Sequence, residues 1–342
     1  MKSITIKSSA IKRTFQQLHQ NIGGTLKVIS NEHILEVDND FGKGRIQGIT
    51  FKGGISYLEF DMVFHDDFWL SINTTKSAPI CFAYCSRGKI THNFSSEKEM
   101  HILENFQTCI LTNAPEESNI LYFTKDVQIK TSLIVVRTNT NTNLLKEDSL
   151  NHRLQELFLS GETAENSIYV GSYNLKIADT IQQLDAIKQQ GLVRSLLIEG
   201  LVHMILAFEI QQHSDDINKA ESETGTLSNS EMDLICEVSK FINNYPELSL
   251  SITELTRKTG LSPSKLQEGF KLMHGTTVSD YIRDIRLLKA EELIKNTDLN
   301  ISEVVYSIGF TSRSYFSKIF RRKYNCSPKQ YKDKQKSLSV SA

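Results

Sequence analysis

Ser251-Ile-Thr-Glu-Leu-Thr-Arg-Lys-Thr-Gly-Leu-Ser-Pro-Ser-Lys-Leu-Gln-Glu-Gly-Phe270 and Ile301-Ser-Glu-Val-Val-Tyr-Ser-Ile-Gly-Phe-Thr-Ser-Arg-Ser-Tyr-Phe-Ser-Lys-Ile-Phe320 follow one plan. In each, a short helical pattern ends at a glycine, Gly260 or Gly309, where glycine tolerates the left-handed backbone that closes a helix. An apolar turn residue follows, Leu261 or Phe310. A serine N-cap, Ser262 or Ser312, then opens a second helix, and Pro263 suits the first helical position of the first copy. Ile252, Leu255, Leu266 and Phe270 are expected in the core. Between the copies Val278 to Lys295 reads as one long helix, with Tyr281, Ile282, Ile285, Leu288 and Leu293 as core positions. A helix-turn-helix needs this spacing so that its second helix can project into a major groove while the first holds it against the core. One such unit resembles many helical corners. Two of them on one connecting helix are a far more specific signal.

Charge agrees with that reading. The chain has 342 residues, with 39 Lys and Arg against 40 Asp and Glu, a net of −1. From Leu250 onward 17 basic residues face nine acidic ones, a net of +8, which leaves −9 on the first 249 residues. A basic third on an acidic body suggests a polyanion-binding module joined to something else. At 39% hydrophobic and 23% charged, the composition is that of a soluble globular protein. The longest uncharged apolar run, Gly200 to Phe208, falls short of the ~18–20 residues of a spanning helix, so no membrane span is expected. The N-terminus lacks a signal-peptide pattern, and five scattered cysteines fit free thiols in a reducing cytoplasm.

Up to Thr138 the sequence reads as β, in short Val-, Ile-, Phe-, Tyr- and Thr-rich runs. These are Leu26–Ile29, Arg45–Thr50, Ser56–Phe64, Phe68–Asn73, Ile80–Tyr84 and Ser132–Arg137, separated by glycine turns. Such a pattern predicts a jelly-roll sandwich or small barrel. After an Asn/Thr-rich joint the period becomes helical, first through Ile177, Ile181, Leu184 and Ile187, then through Leu197, Leu201, Met204, Ile205 and Phe208. The second stripe suits a dimer seam or burial against the barrel. Ser214 to Ser230 is almost devoid of apolar residues and reads as a flexible linker. The expected layout is therefore 1–138 for the β domain, 139–213 for a helical dimerisation segment, 214–230 for the linker and 231–342 for the basic helical domain. The fold class is α+β.

From about Met232 to Lys334 the chain resembles the DNA-binding domain of AraC/XylS-type bacterial transcription regulators. The resemblance is carried by Arg286-x3-Ala290-x2-Leu293, Ile301-x2-Val304, Ile308-Gly309-Phe310, Tyr315-Phe316, Phe320-Arg321-Arg322 and Ser327-Pro328-x2-Tyr331. Thr256 and Val305 stand where that family commonly has a small residue, so small packing adjustments are expected. The resemblance implies two recognition helices, about Ser262 to Met273 and Ser312 to Lys323, in successive major-groove segments of double-stranded operator DNA. Carried across by position, Ser264, Gln267, Glu268, Arg313, Ser314, Ser317 and Lys318 are base-reading candidates. Arg and Lys suit guanine, Gln suits adenine and Glu accepts from cytosine. Glu268 has a competing role, pairing with Lys265 or Lys271 on its own helix. Lys265, Lys271, Arg321, Arg322 and Lys323 are phosphate candidates, which position a protein without reading sequence.

The resemblance also implies a cupin-like effector domain, a homodimer and RNA polymerase as a partner. Gly42 to Phe94 and Tyr169-x-Gly171-Ser172-Tyr173-Asn174-Leu175 are similar to the siderophore-responsive PchR-like subgroup.

Enzymatic and metal constellations are missing from the sequence. His33, His65, His92 and His101 lack the His-x-His pattern of metal-binding cupins, and Cys81 and Cys85 lack the second Cys/His pair of a closed zinc site. No phosphate-binding glycine loop or nucleophile elbow is present. No cofactor and no metal are expected. A barrel mouth can hold a small ligand, and Phe68, Trp69 and Tyr84 are candidates to line it. The reading is a cytoplasmic DNA-binding regulator with a small-molecule effector. The alternative is a barrel enzyme whose helical domain targets it to DNA.

Overall fold

Residues 2–7, 10–73, 79–138, 149–159, 165–218 and 227–333 are described by a computed structural model. The chain divides into two compact units, Met1–Thr224 and Gly225–Ala342.

In unit 1 period-2 alternation sends every second side chain to a shared core. One sheet has the order β1 (Lys2–Lys7), β6 (Phe68–Asn73), β11 (Ser118–Phe123), β8 (Ile90–Phe94), β9 (His101–Leu103). The other has the order β13 (Ser167–Tyr173), β10 (Gln107–Thr112), β7 (Ile80–Arg87), β12 (Gln128–Val136), β5 (Ile55–Phe64), β4 (Gly42–Thr50), β3 (Glu32–Asn39), β2 (Thr25–Ile29). β1 and β6 run parallel, and the remaining pairs are antiparallel. Inward residues of both sheets form a large apolar cluster, and a second one joins Phe94 and Leu103 to Ala83, Cys85, Cys109 and Leu111.

Two elements depart from the sequence expectation. Helix α1 (Ile11–Ile22) stands where only β structure is expected, burying Ile11, Phe15, Leu18 and Ile22. Their spacing of four, three and four is helical, but a single short stripe among many strand-like runs is easily overlooked. Phe15 packs on Gly48 of β4, where a Cβ would come within 2.5 Å of the ring. Strand β13 lies inside the segment expected to be helical and pairs with β10, so the sheet extends past residue 138. The joint at 139–143 lies outside the described residues.

Helix α2 (Leu150–Phe158) precedes β13, and α3 (Leu175–Asp185) and α4 (Gly191–Asn218) follow it. Ile187 lies beyond the end of α3. α4 packs on α3, β13 and β10. It buries Ile198, Val202, Ile205 and Leu206, while Leu192, Val193, Leu196, Leu197 and Met204 are exposed. Of the expected seam, Ile205 is thus buried within its own unit, and the solvent face follows Val193, Leu197, Gly200, Met204 and Ala207. The span Gly191–Ile217, of mean hydropathy 1.7 in its most apolar window, is long and apolar enough to cross a membrane by length and composition. Uninterrupted apolar runs, which stop at Glu209, do not register it, because the few charged residues are spread along the helix. Here one side of the helix covers the sheet, and Arg194 makes a two-pronged ion pair with Glu32 at 2.7 and 2.8 Å.

α4 also overruns the expected linker. Asp216 accepts from Tyr169 Oη at 2.5 Å, Ser172 N at 2.9 Å and Gln212 Nε2 at 2.7 Å, which ties the last turn to β13. Ser228 caps the next helix, so only 219–226 of that stretch fall outside the described residues.

Unit 2 is helical: α5 (Asn229–Asn244), α6 (Ile252–Thr259), α7 (Pro263–His274), α8 (Val278–Asn296), α9 (Ile301–Ser307), α10 (Arg313–Tyr324) and a final helical stretch at 328–333. α8 serves two cores. Val278, Tyr281 and Ile282 are buried near its start, while Leu287, Ala290 and Ile294 pack with α9 and α10. The expected core residue Leu288 is instead 51% exposed, and Leu293 is only partly buried. One stripe drawn along the whole helix misses this change of face.

Glu209 on α4 is 1% exposed, with Oε2 unpartnered among the described residues. Burial raises its carboxyl well above the ordinary range. A carboxyl raised on folding contributes full stability below the ordinary carboxyl range, and that stability is lost as pH climbs toward the raised value, at up to ~1.4 kcal/mol per pH unit. Glu209→Gln should therefore stabilise unit 1 at pH 7 but not at pH 4, as read by urea unfolding of the full chain at both values.

Candidate nucleic-acid interface and internal cavity

Each helix-turn-helix is built by local chemistry. Ser251 and Glu254 form a capping box that starts α6, and Gly260 closes it at φ +73°. Ser262 caps α7, whose Leu266 and Phe270 are fully buried. In the second unit Asn300 and Glu303 form the box that starts α9, Gly309 turns at φ +80° and Ser312 caps α10. Phe316 and Phe320 are buried, which turns the opposite face of α10 to solvent.

Arg286 of α8 joins the two helix-turn-helix copies inside unit 2. Its Nε donates to Pro246 O and its Nη2 to Leu248 O, both at 2.8 Å, and its guanidinium lies 5.6 Å from the Phe310 ring centre. Burial lowers its pKa, yet both carbonyls accept from the charged form. Within unit 2, between the two helix-turn-helix copies, lies a hollow of about 280 Å³, lined by Arg283, Arg286, Phe310, Ser312 and Tyr315 among others. α8 has 19 residues, a length of about 28 Å at 1.5 Å per residue. That is close to the ~34 Å between successive major-groove segments on one DNA face.

The candidate residues separate into free and engaged groups. On α10, Arg313, Ser314, Lys318, Arg321 and Arg322 are exposed and Ser317 is half-buried. The helix carries five basic residues and no acid. Lys323 lies 3.6 Å from Asp284. On α7, Ser264 and Lys271 are exposed, and Ser264 Oγ shares a hydrogen bond with the Ser262 cap. Three other α7 candidates are engaged, two of them inside the domain. Gln267 Oε1 accepts from Val278 N at the start of α8, Lys265 pairs with Glu231 at 2.6 Å, and Glu268 has an interaction of its own. Tyr315 is a further exposed residue of α10. It is 48% exposed in the first turn of α10, and its hydroxyl bonds to Arg283. Its signal was the neighbouring pair Tyr315-Phe316, of which only one ring can face the core.

Unit 1 encloses a cavity of about 370 Å³ between its two sheets and α1. One wall contains the cross-strand row Ser56, Val135, Cys81 and Leu111. The facing wall contains Ile6, Ile72 and Asn119. None of Phe68, Trp69 and Tyr84 lines it. Phe68 belongs to an aromatic cluster with Phe41, Phe64 and Phe123. Trp69 points the other way, against Tyr122, and Tyr84 is fully buried with its hydroxyl donating to Asn174 O. Among the described residues, no group of three or more His, Cys, Asp or Glu could hold a metal ion.

A family model described as a helix-turn-helix domain matches residues 255–334. The regulatory protein SoxS of Escherichia coli (strain K12) is 30% identical over 103 residues, covering 30% of this chain and 96% of that protein. Histidine kinase P4 of Formosa agariphila is 30% identical over 110 residues, which is 32% of this chain but 8% of that protein. A solved transcriptional regulator of Chromobacterium violaceum, described as having an AraC-type DNA-binding domain, is 25% identical over 32% of this chain and 96% of its own, with a TM-score of 0.29. The chain thus spans nearly all of SoxS and less than a tenth of the kinase.

The two turn glycines make unequal demands. A Cβ at Gly260 would meet nothing within 4 Å, whereas one at Gly309 would come within 2.7 Å of Glu247 O and 2.9 Å of Arg286 Nη2. Gly260→Ala should cost only the left-handed backbone penalty, ~1 kcal/mol, and Gly309→Ala about 3 kcal/mol because backbone must also shift. Thermal unfolding of the two variants of the full chain compares them directly.

Proposed function

The chain belongs to the AraC family of helix-turn-helix transcriptional regulators, and on that premise we propose that it binds operator DNA as a homodimer under the control of a small molecule held by unit 1. One observation carries the DNA-binding half. Two helix-turn-helix units sit on a single connecting helix, and the second helix of the second unit, α10, carries five basic residues and no acid. The role is regulatory, not enzymatic, and is exercised in the cytoplasm, with RNA polymerase as the downstream partner. The cavity of about 370 Å³ supports an effector site, since small-molecule sites are enclosed and largely apolar. The PchR-like resemblance of Gly42–Phe94 and Tyr169–Leu175 supplies no ligand class. Sequencing the DNA fragments retained by the purified chain, then footprinting them, tests the reading. A common motif with two protected segments one helical turn apart is expected, and retention without sequence preference would refute it.

Within α10, Arg313 stands in the first turn and Arg321 about two turns on. We assign base reading to the first and phosphate contact to the second. Arg313→Ala should cost roughly 1–3 kcal/mol on the retained operator and relax base choice at one position. Arg321→Ala should weaken all sequences alike and lower the salt slope by about one. Binding to single-base operator variants at several salt concentrations separates the two.

Dimerisation is assigned to the solvent face of α4, where Val193, Leu197, Gly200, Met204 and Ala207 repeat at spacings of three and four, as in a helix–helix seam. Leu197→Glu with Met204→Glu should give monomers in sedimentation. Ile205→Glu, buried within its own unit, should instead destabilise unit 1.

A further inference from the structure

Building on the effector role proposed for unit 1, we propose that its cavity binds a straight-chain monocarboxylate of about ten carbons, with Arg137 holding the carboxylate. The walls set the apolar part. Ten of the lining residues are Leu, Ile or Val and only Phe60 is aromatic, so the cavity offers branched aliphatic surface and no pair of rings for a flat ligand. Its polar groups are few. Ser56 Oγ already bonds Thr50 Oγ1, and Asn119 Oδ1 is 2.8 Å from His92 Nε2. A sugar would leave most of its hydroxyls against hydrocarbon, each at a desolvation cost.

Charge sets the other end. Among the described residues, Arg137 is the only charged one lining the cavity, and no carboxylate lines it. It follows the last residue of β12 and is exposed, so the cation stands where the wall reaches solvent. Among the described residues no Asp or Glu pairs with its guanidinium. A guanidinium binds a carboxylate through two parallel hydrogen bonds, which fixes orientation as well as charge. β12 supplies both parts of the site. Leu133 and Val135 line the aliphatic wall, and Arg137 continues the same face of the strand. At about 30 Å³ per non-hydrogen atom, 370 Å³ holds roughly a dozen such atoms. Decanoate matches that count.

The test is titration calorimetry of the full chain with decanoate and with decanamide, its uncharged counterpart of equal size. Decanoate should bind about tenfold more tightly than decanamide. Arg137→Gln should bring the two within twofold, and Arg137→Lys should keep most of the preference. Thermal unfolding of unliganded Arg137→Gln should match that of the unsubstituted chain, because the side chain is exposed. No decanoate binding, equal binding of the two ligands, or an equal loss for both in Arg137→Gln would each overturn the proposal. The effector reading fails by a different sign: decanoate binding with the stated Arg137 dependence but no change in affinity for the retained DNA. That result upholds the ligand class and removes the regulatory role.

Discussion

The guanidinium of Arg286 sets the geometry on which the DNA-binding half depends. It takes two backbone carbonyls, Pro246 and Leu248, from the segment leading into α6, and lies over Phe310 in the turn of the second helix-turn-helix. A lysine there would offer a point charge without the planar fork that spans two acceptors and covers a ring. Gly309 belongs to the same arrangement, because its missing side chain is the space into which Arg286 reaches. The relation between α7 and α10 therefore depends on one cation, two carbonyls and one glycine, together with the two-sided packing of α8.

That two-sided packing explains why a connecting helix can be rigid and polar at once. Early in α8 the buried residues are Val278, Tyr281 and Ile282; later they are Leu287, Ala290 and Ile294. The remaining surface carries ion pairs such as Arg283 with Asp280 and Lys295 with Glu291. Pairs of this kind contribute little individually, so burial at the two ends holds the helix. Tyr331, beyond α10, donates to Glu291 at 2.6 Å and packs against Phe320, which fastens the C-terminal stretch to the second core.

The helical half was legible because its signals are local. A serine or asparagine cap, a glycine at φ near +75° and a buried aromatic each act within a few residues of sequence. The β half was legible only as strands. Pairing order, the inclusion of β13 and the place of α1 depend on contacts between residues far apart in the chain. The cavity shows the difference most clearly. Residue type alone points to Phe68, Trp69 and Tyr84, whereas strand parity and register decide what lines it. Phe68 and Leu70 of β6 face inward and Trp69 does not, and of the two inward residues only Leu70 reaches the cavity. The duties of Gln267 and Lys265 were equally hidden, since Val278 and Glu231 lie on other helices.

Parity also joins the cavity to the helices that cover unit 1. Along β5, Ser56, Leu58 and Phe60 line the cavity, while Tyr57 and Glu59 point to the opposite face. There Glu59 is buried and accepts from Tyr57 Oη at 2.8 Å and from Gln47 Nε2 at 3.1 Å. Burial raises its carboxyl pKa, with Lys130 opposing that shift from 3.6 Å. Lys130 of β12 in turn donates to Asp185 at the end of α3, at 2.5 Å. α3 packs on α4, so the chain of contacts runs from cavity wall through a buried carboxylate to the helix with the exposed apolar face. The links at Glu59 are buried and the last one, Lys130 to Asp185, reaches solvent; a close-packed interior transmits displacement because it has no slack to absorb it. An occupant that shifts Leu58 or Leu133 acts on strands that hold α3 from their other side.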